Sequence, residues 1–240
     1  MNRKILTLTI VFIMLTASYA QTSEIVVASG AGFRKMVVDV SKTCEKDYGV
    51  KMNMSFGNLG QVIAQIKNTG LVEAVIGDER FLSKAGPEFA ESHLIGKGKL
   101  VLIWRKGLDI KSVEDITTDK VGKLAIPNLQ KAIYGRAGSE FLASKGMTEA
   151  VKDKLLVVAT VPQVTSYIVT GEVDAGFSNL TDTLGSLDKI GGYILIEDGY
   201  KEINIITGII KGFENTDAAA YYRRCITSAE VKEIAKKHGM

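Results

Sequence analysis

The chain has 240 residues, of which 46% are hydrophobic and 24% charged, a composition typical of an ordered globular protein. Its formal net charge of +3 argues against nucleic acid as a partner, because proteins that bind nucleic acid need a clustered basic face. Only two histidines are present, His93 and His238, and they lie far apart in the sequence, so we expect no metal site and no cofactor.

The first 20 residues have the pattern of an export signal. Asn2-Arg3-Lys4 is basic, residues 5–17 carry no charge, and Ser18-Tyr19-Ala20 has the small-x-small form that signal peptidases cleave. The alternative is a membrane anchor, but the apolar run is shorter than the roughly 20 residues of a spanning helix. We therefore predict a signal peptide over residues 1–20, cleavage before Gln21, and a soluble periplasmic protein.

Strands and helices alternate along the rest of the chain, which predicts an α/β fold with mainly parallel sheets and flanking helices. Two helices are marked by apolar residues three and four positions apart, from Phe33 to Cys44 and from Leu59 to Ile66. Predicted strands cover 24–28, 51–55, 73–76, 94–104, 123–126, 155–159, 174–177, 193–197 and 203–210. Further helices are predicted over 133–145, 161–170, 217–227 and 229–237.

Four strand-to-helix junctions contain glycine or small residues, at 26–32, 54–60, 125–135 and 159–162. The first N–H groups of a helix have no partner within the helix, and the positive end of the helix dipole lies behind them. A junction without bulky side chains therefore favours anion binding.

From about residue 24 to residue 240, the chain resembles the molybdate-binding proteins of bacterial ABC importers, a branch of the type II periplasmic solute-binding proteins. The resemblance rests on short stretches in one order along the chain. They are 27–36, 55–60, 65–66, 74–78, 100–102, 112–115, 134–137, 171–177, 211–230 and 238–240.

This resemblance implies two lobes that close on a ligand in the cleft between them. Lobe one would comprise residues 21–102 and 204–240, and lobe two residues 103–203, with Trp104 near the hinge. A tetrahedral oxyanion, molybdate or tungstate by default, would be held by backbone N–H groups and a few hydroxyls. The implied ligand-binding residues are Ser29, Gly30, Ala31, Asn58, Leu59, Gly60, Ile133, Tyr134, Val161 and Asn179.

Three of these residues depart from the family pattern. Ala31 and Leu59 stand where the family has serine hydroxyls, and Asn179 stands where it has a tyrosine hydroxyl. A hydrogen bond to a charged group contributes about 1.5–3 kcal/mol, so three uncompensated losses would weaken binding strongly. Either Ser29 and Asn58 compensate, or Leu59 faces the cleft and the ligand is a different, less charged solute.

Charged residues near the junctions have simpler interpretations. We expect Asp78 to cap a helix or to contact the hinge, Arg136 to be solvated or interlobe, and Arg34 and Lys35 to point to water.

Cys44 and Cys225, the two cysteines, each lie on the apolar face of a predicted helix. Export favours a disulfide between them, and two buried thiols remain the alternative because the sequence does not define their separation.

No nucleophile elbow, phosphate loop or zinc-site spacing occurs, so we predict that the chain is not an enzyme. The first functional hypothesis is a monomeric delivery protein that presents a small anion to an ABC permease. The second is a sensory or binding module on the same scaffold, without transport, for another small anion or organic solute.

Overall fold

The structure, a computed structural model, describes residues 23–240, and the predicted signal peptide lies outside them. Ten strands form there: β1 (Ser23–Gly30), β2 (Val50–Gly57), β3 (Ala74–Asp78), β4 (Phe89–Gly98), β5 (Leu100–Trp104), β6 (Leu124–Pro127), β7 (Leu155–Val158), β8 (Ala175–Asn179), β9 (Gly192–Ile196) and β10 (Ile203–Ile210). The α-helices of the same residues are α1 (Arg34–Tyr48), α2 (Leu59–Thr69), α3 (Glu79–Ala85), α4 (Ile133–Ser144), α5 (Thr148–Val151), α6 (Val161–Thr170), α7 (Leu180–Leu184), α8 (Asp217–Ile226) and α9 (Ala229–Lys237).

The strands form two five-stranded sheets with matching topology, ordered β2-β1-β3-β10-β4 in lobe one and β7-β6-β8-β5-β9 in lobe two. In each sheet one strand, β10 or β5, runs antiparallel to both of its neighbours, and the other strands share a direction. These two antiparallel strands are the ones that follow a passage from the other sheet. The predicted two-lobed α/β fold is confirmed, and its sheets are mixed.

The chain changes sheet at Lys99, within the segment predicted as one strand over 94–104. β4 begins earlier, at Phe89, and pairs with β10, whereas β5 pairs with β8 and β9. The expected lobe boundary after residue 102 therefore falls inside β5. Hydropathy gave no sign of this change, because both strands carry strand-forming residues and only one residue separates them. The second passage between the sheets is the segment 197–202.

Three helices were not predicted: α3, α5 and α7. Each has seven residues or fewer, too short to show a helical repeat of apolar residues. α3 and α7 are instead marked by their N-caps. Asp78 and Asn179 accept hydrogen bonds from N–H groups of the first turn.

The predicted apolar face of α1 is buried in the core of lobe one. Met36, Val37, Val40 and Cys44 are at most 1% exposed. Cys44 forms a disulfide with Cys225 of α8, with a Cα–Cα distance of 5.4 Å. Of the two alternatives, the structure therefore contains the disulfide. It links the N-terminal and C-terminal parts of lobe one covalently.

Candidate functional site

Four helix starts surround one small cavity between the lobes. They follow β1, β2, β6 and β7, and the register of the parallel pairs brings neighbouring strands to an end at the same level, Gly30 beside Gly57 and Pro127 beside Val158. The carboxyl-end edges of the two sheets thus face each other. The lining residues are Gly30, Ala31, Gly32, Phe33, Gly57, Asn58, Leu59, Ala132, Ile133, Tyr134, Thr160 and Val161.

The cavity has the size of a small solute. The space that the centre of a water molecule can reach is about 20 Å³. A sphere of this accessible volume, with the water radius of about 1.4 Å added, would have a radius of about 3 Å. A tetrahedral oxyanion has similar dimensions, whereas a sugar or an amino acid is larger.

The polar groups of the cavity wall are mainly backbone amides. Among the hydrogen bonds of residues 23–240, none uses the N–H of Leu59, Ile133, Tyr134 or Val161, each in the first turn of its helix. None of the lining residues is charged. The helix dipoles and the amides therefore make the cavity positive without a cationic side chain.

Seven of the ten sequence-predicted site residues line the cavity: Gly30, Ala31, Asn58, Leu59, Ile133, Tyr134 and Val161. Ser29, Gly60 and Asn179 do not. The Ser29 hydroxyl donates to the carbonyl of Gly30 (3.3 Å), and the N–H of Gly60 donates to the carbonyl of Lys131 (3.1 Å). Asn179 donates to the carbonyl of Gly32 (3.0 Å), across the cleft.

Leu59 lines the cavity, but its side chain packs away from it. It is 1% exposed and belongs to the lobe-one core, where it covers Gly77 of β3. A Cβ on Gly77 would lie 2.7 Å from Cδ2 of Leu59. Of the two alternatives, this packing favours the one in which the Leu59 side chain does not fill the cleft, although the residue borders the cavity.

Five lining residues are not among the ten predicted site residues: Gly32, Phe33, Gly57, Ala132 and Thr160. All of them except Phe33 lie within the four predicted junctions. Thr160 is chemically the most important, because it is the one of the five with a hydroxyl and it is the N-cap residue of α6. A threonine two residues before Pro162 is a helix-start pattern that could have identified it.

A further interlobe contact joins the start of α3 to α4. Oδ1 of Asp78 accepts the N–H of Phe81 at 2.7 Å, as expected for a cap, and lies 3.9 Å from Nη2 of Arg136. The Arg136 guanidinium also lies over the Phe81 ring, 4.6 Å from its centroid. Burial raises the pKa of Asp78, and the Phe81 N–H and Arg136 offset this only in part.

Arg34 and Lys35 are both exposed, as expected, and Lys35 in addition contacts the opposite lobe. Its ammonium group donates to the Gly185 carbonyl and to the Ser186 hydroxyl, at 3.0 Å for the latter, on the opposite lobe. Arg34 lies over the Phe56 ring.

Trp104 is not near the passages between the lobes. It ends β5, four residues from Leu100, or about 13 Å at roughly 3.3 Å per residue. It is 9% exposed and packs against Gly191 and Gly192 within lobe two.

Within residues 23–240, no helix combines the length and apolar character needed to cross a membrane. In the same part of the chain, no three His, Cys, Asp or Glu residues are grouped to hold a metal ion.

Two lobes that meet around a small, amide-lined cavity define a binding protein for a small solute. The chain belongs to the family of bacterial extracellular solute-binding proteins, which matches residues 25–240. The family is one of binding proteins, so the prediction that the chain is not an enzyme is confirmed.

Named relatives support this placement. The chain is 30% identical over 233 residues to the molybdate-binding protein ModA of Azotobacter vinelandii, covering 94% of this chain and 92% of the relative. It is 25% identical over 229 residues to the putative ABC transporter substrate-binding lipoprotein YvgL of Bacillus subtilis, covering 89% and 84%. Among solved structures, the periplasmic molybdate-binding protein of Azotobacter vinelandii superposes with a TM-score of 0.80 at 24% identity, covering 90% of this chain and 97% of that one.

Proposed function

We propose that this protein binds a small tetrahedral oxyanion, molybdate or tungstate, in the interlobe cavity and presents it to an ABC permease. The observation that carries this proposal is the convergence of four helix starts on a void of about 3 Å radius with unpaired N–H groups in its wall. The 30% identity to a molybdate-binding protein supports the choice of ligand.

The cavity favours oxyanions that are fully deprotonated near neutral pH. Its wall offers backbone N–H groups as donors, Thr160 adds a residue with a hydroxyl, and no carboxylate lines it. The Tyr134 hydroxyl is buried beside Gly98 and is not one of these donors. A protonated oxyanion such as hydrogen phosphate needs an acceptor for its own O–H, and a buried O–H without one costs about 1–3 kcal/mol. Molybdate and tungstate carry no such proton.

Ala31 and Leu59 leave the ligand without the family's serine hydroxyls. We propose that backbone amides, above all those of Leu59, Ile133, Tyr134 and Val161, bind most of the anion's charge, with Thr160 as the hydroxyl donor. In this arrangement Ser29, Gly60 and Asn179 do not touch the ligand.

The cellular setting belongs to the same proposal. Residues 1–20 direct export and are removed, and the mature protein works outside the cytoplasmic membrane as a monomer. Its partners are the anion and the permease, not nucleic acid. We place the lobe boundaries at the sheet change of Lys99 and at the segment 197–202.

A thermal-shift and calorimetry panel on residues 21–240 tests the ligand. Molybdate and tungstate at micromolar concentration are expected to raise Tm and to bind with one site, whereas phosphate at the same concentration has no effect. The proposal fails if neither molybdate nor tungstate binds, or if phosphate binds as tightly as they do.

Thr160→Val tests the hydroxyl at nearly constant side-chain volume. We expect molybdate affinity to fall by about 10-fold, the value of one hydrogen bond to a charged group. The matched control is Thr170→Val at the other end of α6, where the hydroxyl bonds only to neighbours such as Ser166. Equal affinities for both variants would remove Thr160 from the site.

A further inference from the structure

Two asparagines, one on each lobe, use both ends of their carboxamides. Oδ1 of Asn58 accepts the N–H of Gln61 (2.9 Å) and caps α2, while its Nδ2 donates to the carbonyl of Ala159 (3.1 Å) on lobe two. An amide group is suited to this, because it has an acceptor oxygen and a donor nitrogen side by side.

Asn179 makes the reciprocal arrangement from lobe two. Its Oδ1 accepts the N–H of Asp182 (3.1 Å) and caps α7, while its Nδ2 donates to the carbonyl of Gly32 (3.0 Å) on lobe one. Asn179 is fully buried and Asn58 is 7% exposed, so both bonds are formed away from water.

Both acceptor carbonyls belong to the junctions that line the cavity. Gly32 is a lining residue, and Ala159 directly precedes Thr160. Each asparagine therefore ties a helix start of its own lobe to a strand-to-helix junction of the other, and the two bonds set the distance between the opposing amide groups.

The backbone at Gly32 leaves room for this contact. A Cβ on Gly32 would lie 2.9 Å from Nδ2 of Asn179, closer than Cβ atoms normally approach, and 3.1 Å from its Oδ1, which is also a tight contact. Glycine at this position is thus explained by the approach of Asn179, independently of any requirement for a positive φ.

We propose that Asn58 and Asn179, the interlobe asparagine pair, are positioning residues that hold the lobes closed around the ligand. The inference rests on the proposed function for the identity of the solute. Asn179 stands where the resemblance implied a ligand-contacting hydroxyl, and in this chain it joins the lobes instead.

Substitution by aspartate separates the two uses of the carboxamide. Aspartate caps a helix as well as asparagine does, but it has no N–H to donate. In Asn179→Asp and Asn58→Asp, a carboxylate oxygen would face a carbonyl oxygen across the cleft. Asn179→Ser gives a neutral version that keeps a capping oxygen and loses the reach.

Asn128→Asp is the matched control. Oδ1 of Asn128 accepts the N–H groups of Gln130 and Lys131 within its own loop, and Asn128 forms no side-chain bond across the cleft within residues 23–240. It introduces the same charge on lobe two but outside the cavity wall. It therefore controls for the added net charge, and the neutral Asn179→Ser variant controls for direct repulsion between a carboxylate and the anion.

Affinity for molybdate, Tm without ligand, and the radius of gyration from small-angle X-ray scattering are measured for each protein. We expect Asn179→Asp and Asn58→Asp to weaken molybdate binding by about 10-fold more than Asn128→Asp, and to remain more expanded at saturating molybdate. Asn179→Ser should weaken binding in the same direction. If the asparagines only stabilised the fold, the variants would have a lower Tm without ligand. Their molybdate affinity, measured at a temperature where they are folded, would equal that of wild type.

The outcomes for the two proposals differ. If wild-type protein binds molybdate and the variants bind it equally well, the asparagine proposal is overturned and the proposed function stands. If wild-type protein binds neither molybdate nor tungstate, the proposed function fails. In that case the radius of gyration without ligand decides the asparagine proposal. Equal values for wild type and the variants overturn it, and a larger radius in the variants supports it.

Discussion

At the scale of single residues, glycines near the cavity determine where larger neighbouring side chains pack. Leu59 occupies a position where the resemblance implied a serine, yet it does not fill the cleft, because Gly77 provides a space for it on the surface of β3. The Leu59 side chain thus packs in the core of lobe one, and its backbone amide remains at the cavity wall.

Gly77→Ala should therefore destabilise the protein by about 1–3 kcal/mol, the usual cost of overpacking a core. Its Cβ would lie 2.7 Å from Leu59 Cδ2. Gly122→Ala is the control, since Gly122 is exposed and its nearest neighbouring atom would be 3.4 Å away. Urea denaturation measures both, and equal stabilities of the two variants would contradict the packing argument. Leu59→Ala should cost less in the Gly77→Ala background than in wild type.

Asp78 is expected to make stability depend on pH in an unusual direction. Its pKa is raised by burial, so the folded protein holds the proton more tightly than the unfolded chain. This contribution favours folding below about pH 4 and is lost as pH rises through the raised pKa. The Tm of Asp78→Asn relative to wild type should therefore increase between about pH 4 and 7, measured by calorimetry.

Asp39 is the control, because its expected effect on the pH dependence of stability has the opposite sign. A hydrogen bond from Lys42, with a further one from His238, lowers the pKa of Asp39 despite some burial. Its contribution is present above the ordinary aspartate pKa and is lost as pH falls through the lowered one. The relative Tm of Asp39→Asn should decrease as pH rises to about 4 and change little between about pH 4 and 7. The same trend for both variants would show that the burial of Asp78 does not govern its titration.

At the scale of elements, the pairing of strand ends with helix starts builds the site. The register of β1 with β2 and of β6 with β7 brings two helix starts to each side of the cavity. α1 also links the site to the C-terminal helices, because it packs on α8 and α9. The Cys44–Cys225 disulfide joins this helix layer on the side away from the cavity.

Removal of the disulfide should lower stability and leave ligand binding intact. The disulfide closes a loop with a sequence separation of 181, and such crosslinks contribute about 2–4 kcal/mol. We expect the double variant Cys44→Ala, Cys225→Ala to melt at a lower temperature, and wild type to behave similarly after reduction. Molybdate affinity at a temperature where the variant is folded should equal that of wild type. A loss of affinity would place α1 and α8 in the binding equilibrium.

At the scale of the whole molecule, several contacts between the two lobes hold them together. Hydrogen bonds to the opposite lobe are donated by Asn58, Asn179, the Gly60 N–H and Lys35. In addition, Arg136 of lobe two lies beside Asp78 of lobe one. None of these contacts involves Trp104, which is enclosed in lobe two.

Trp104 emission should consequently report the unfolding of lobe two and respond little to ligand. Denaturation is expected to shift the emission to the red, whereas saturating molybdate leaves the wavelength nearly unchanged. Dyes attached at Leu71→Cys and Leu187→Cys, exposed positions on different lobes, provide the comparison, because energy transfer between them follows closure. A large ligand-induced change at Trp104 would show that closure deforms lobe two itself.

The sequence by itself determined the α/β class, the family and the glycine-bearing junctions around the cavity. These properties depend on short stretches: an apolar repeat, a glycine after a strand, or a backbone amide that no side chain alters. Seven predicted residues line the cavity for this reason, including Ala31, whose side chain has no polar group. The two cysteines could be placed on buried helix faces, but their pairing required the Cα separation.

Only the tertiary structure decided which way side chains point and where the chain passes between the lobes. Ser29, Gly60 and Asn179 are adjacent to the cavity in sequence, yet their polar groups bond elsewhere, to Gly30, Lys131 and Gly32. The change of sheet at Lys99 likewise lies inside a continuous strand-forming pattern. Local sequence defines a backbone conformation, whereas the partner of each polar group is set by residues distant in the chain, which meet only when the two lobes pack together.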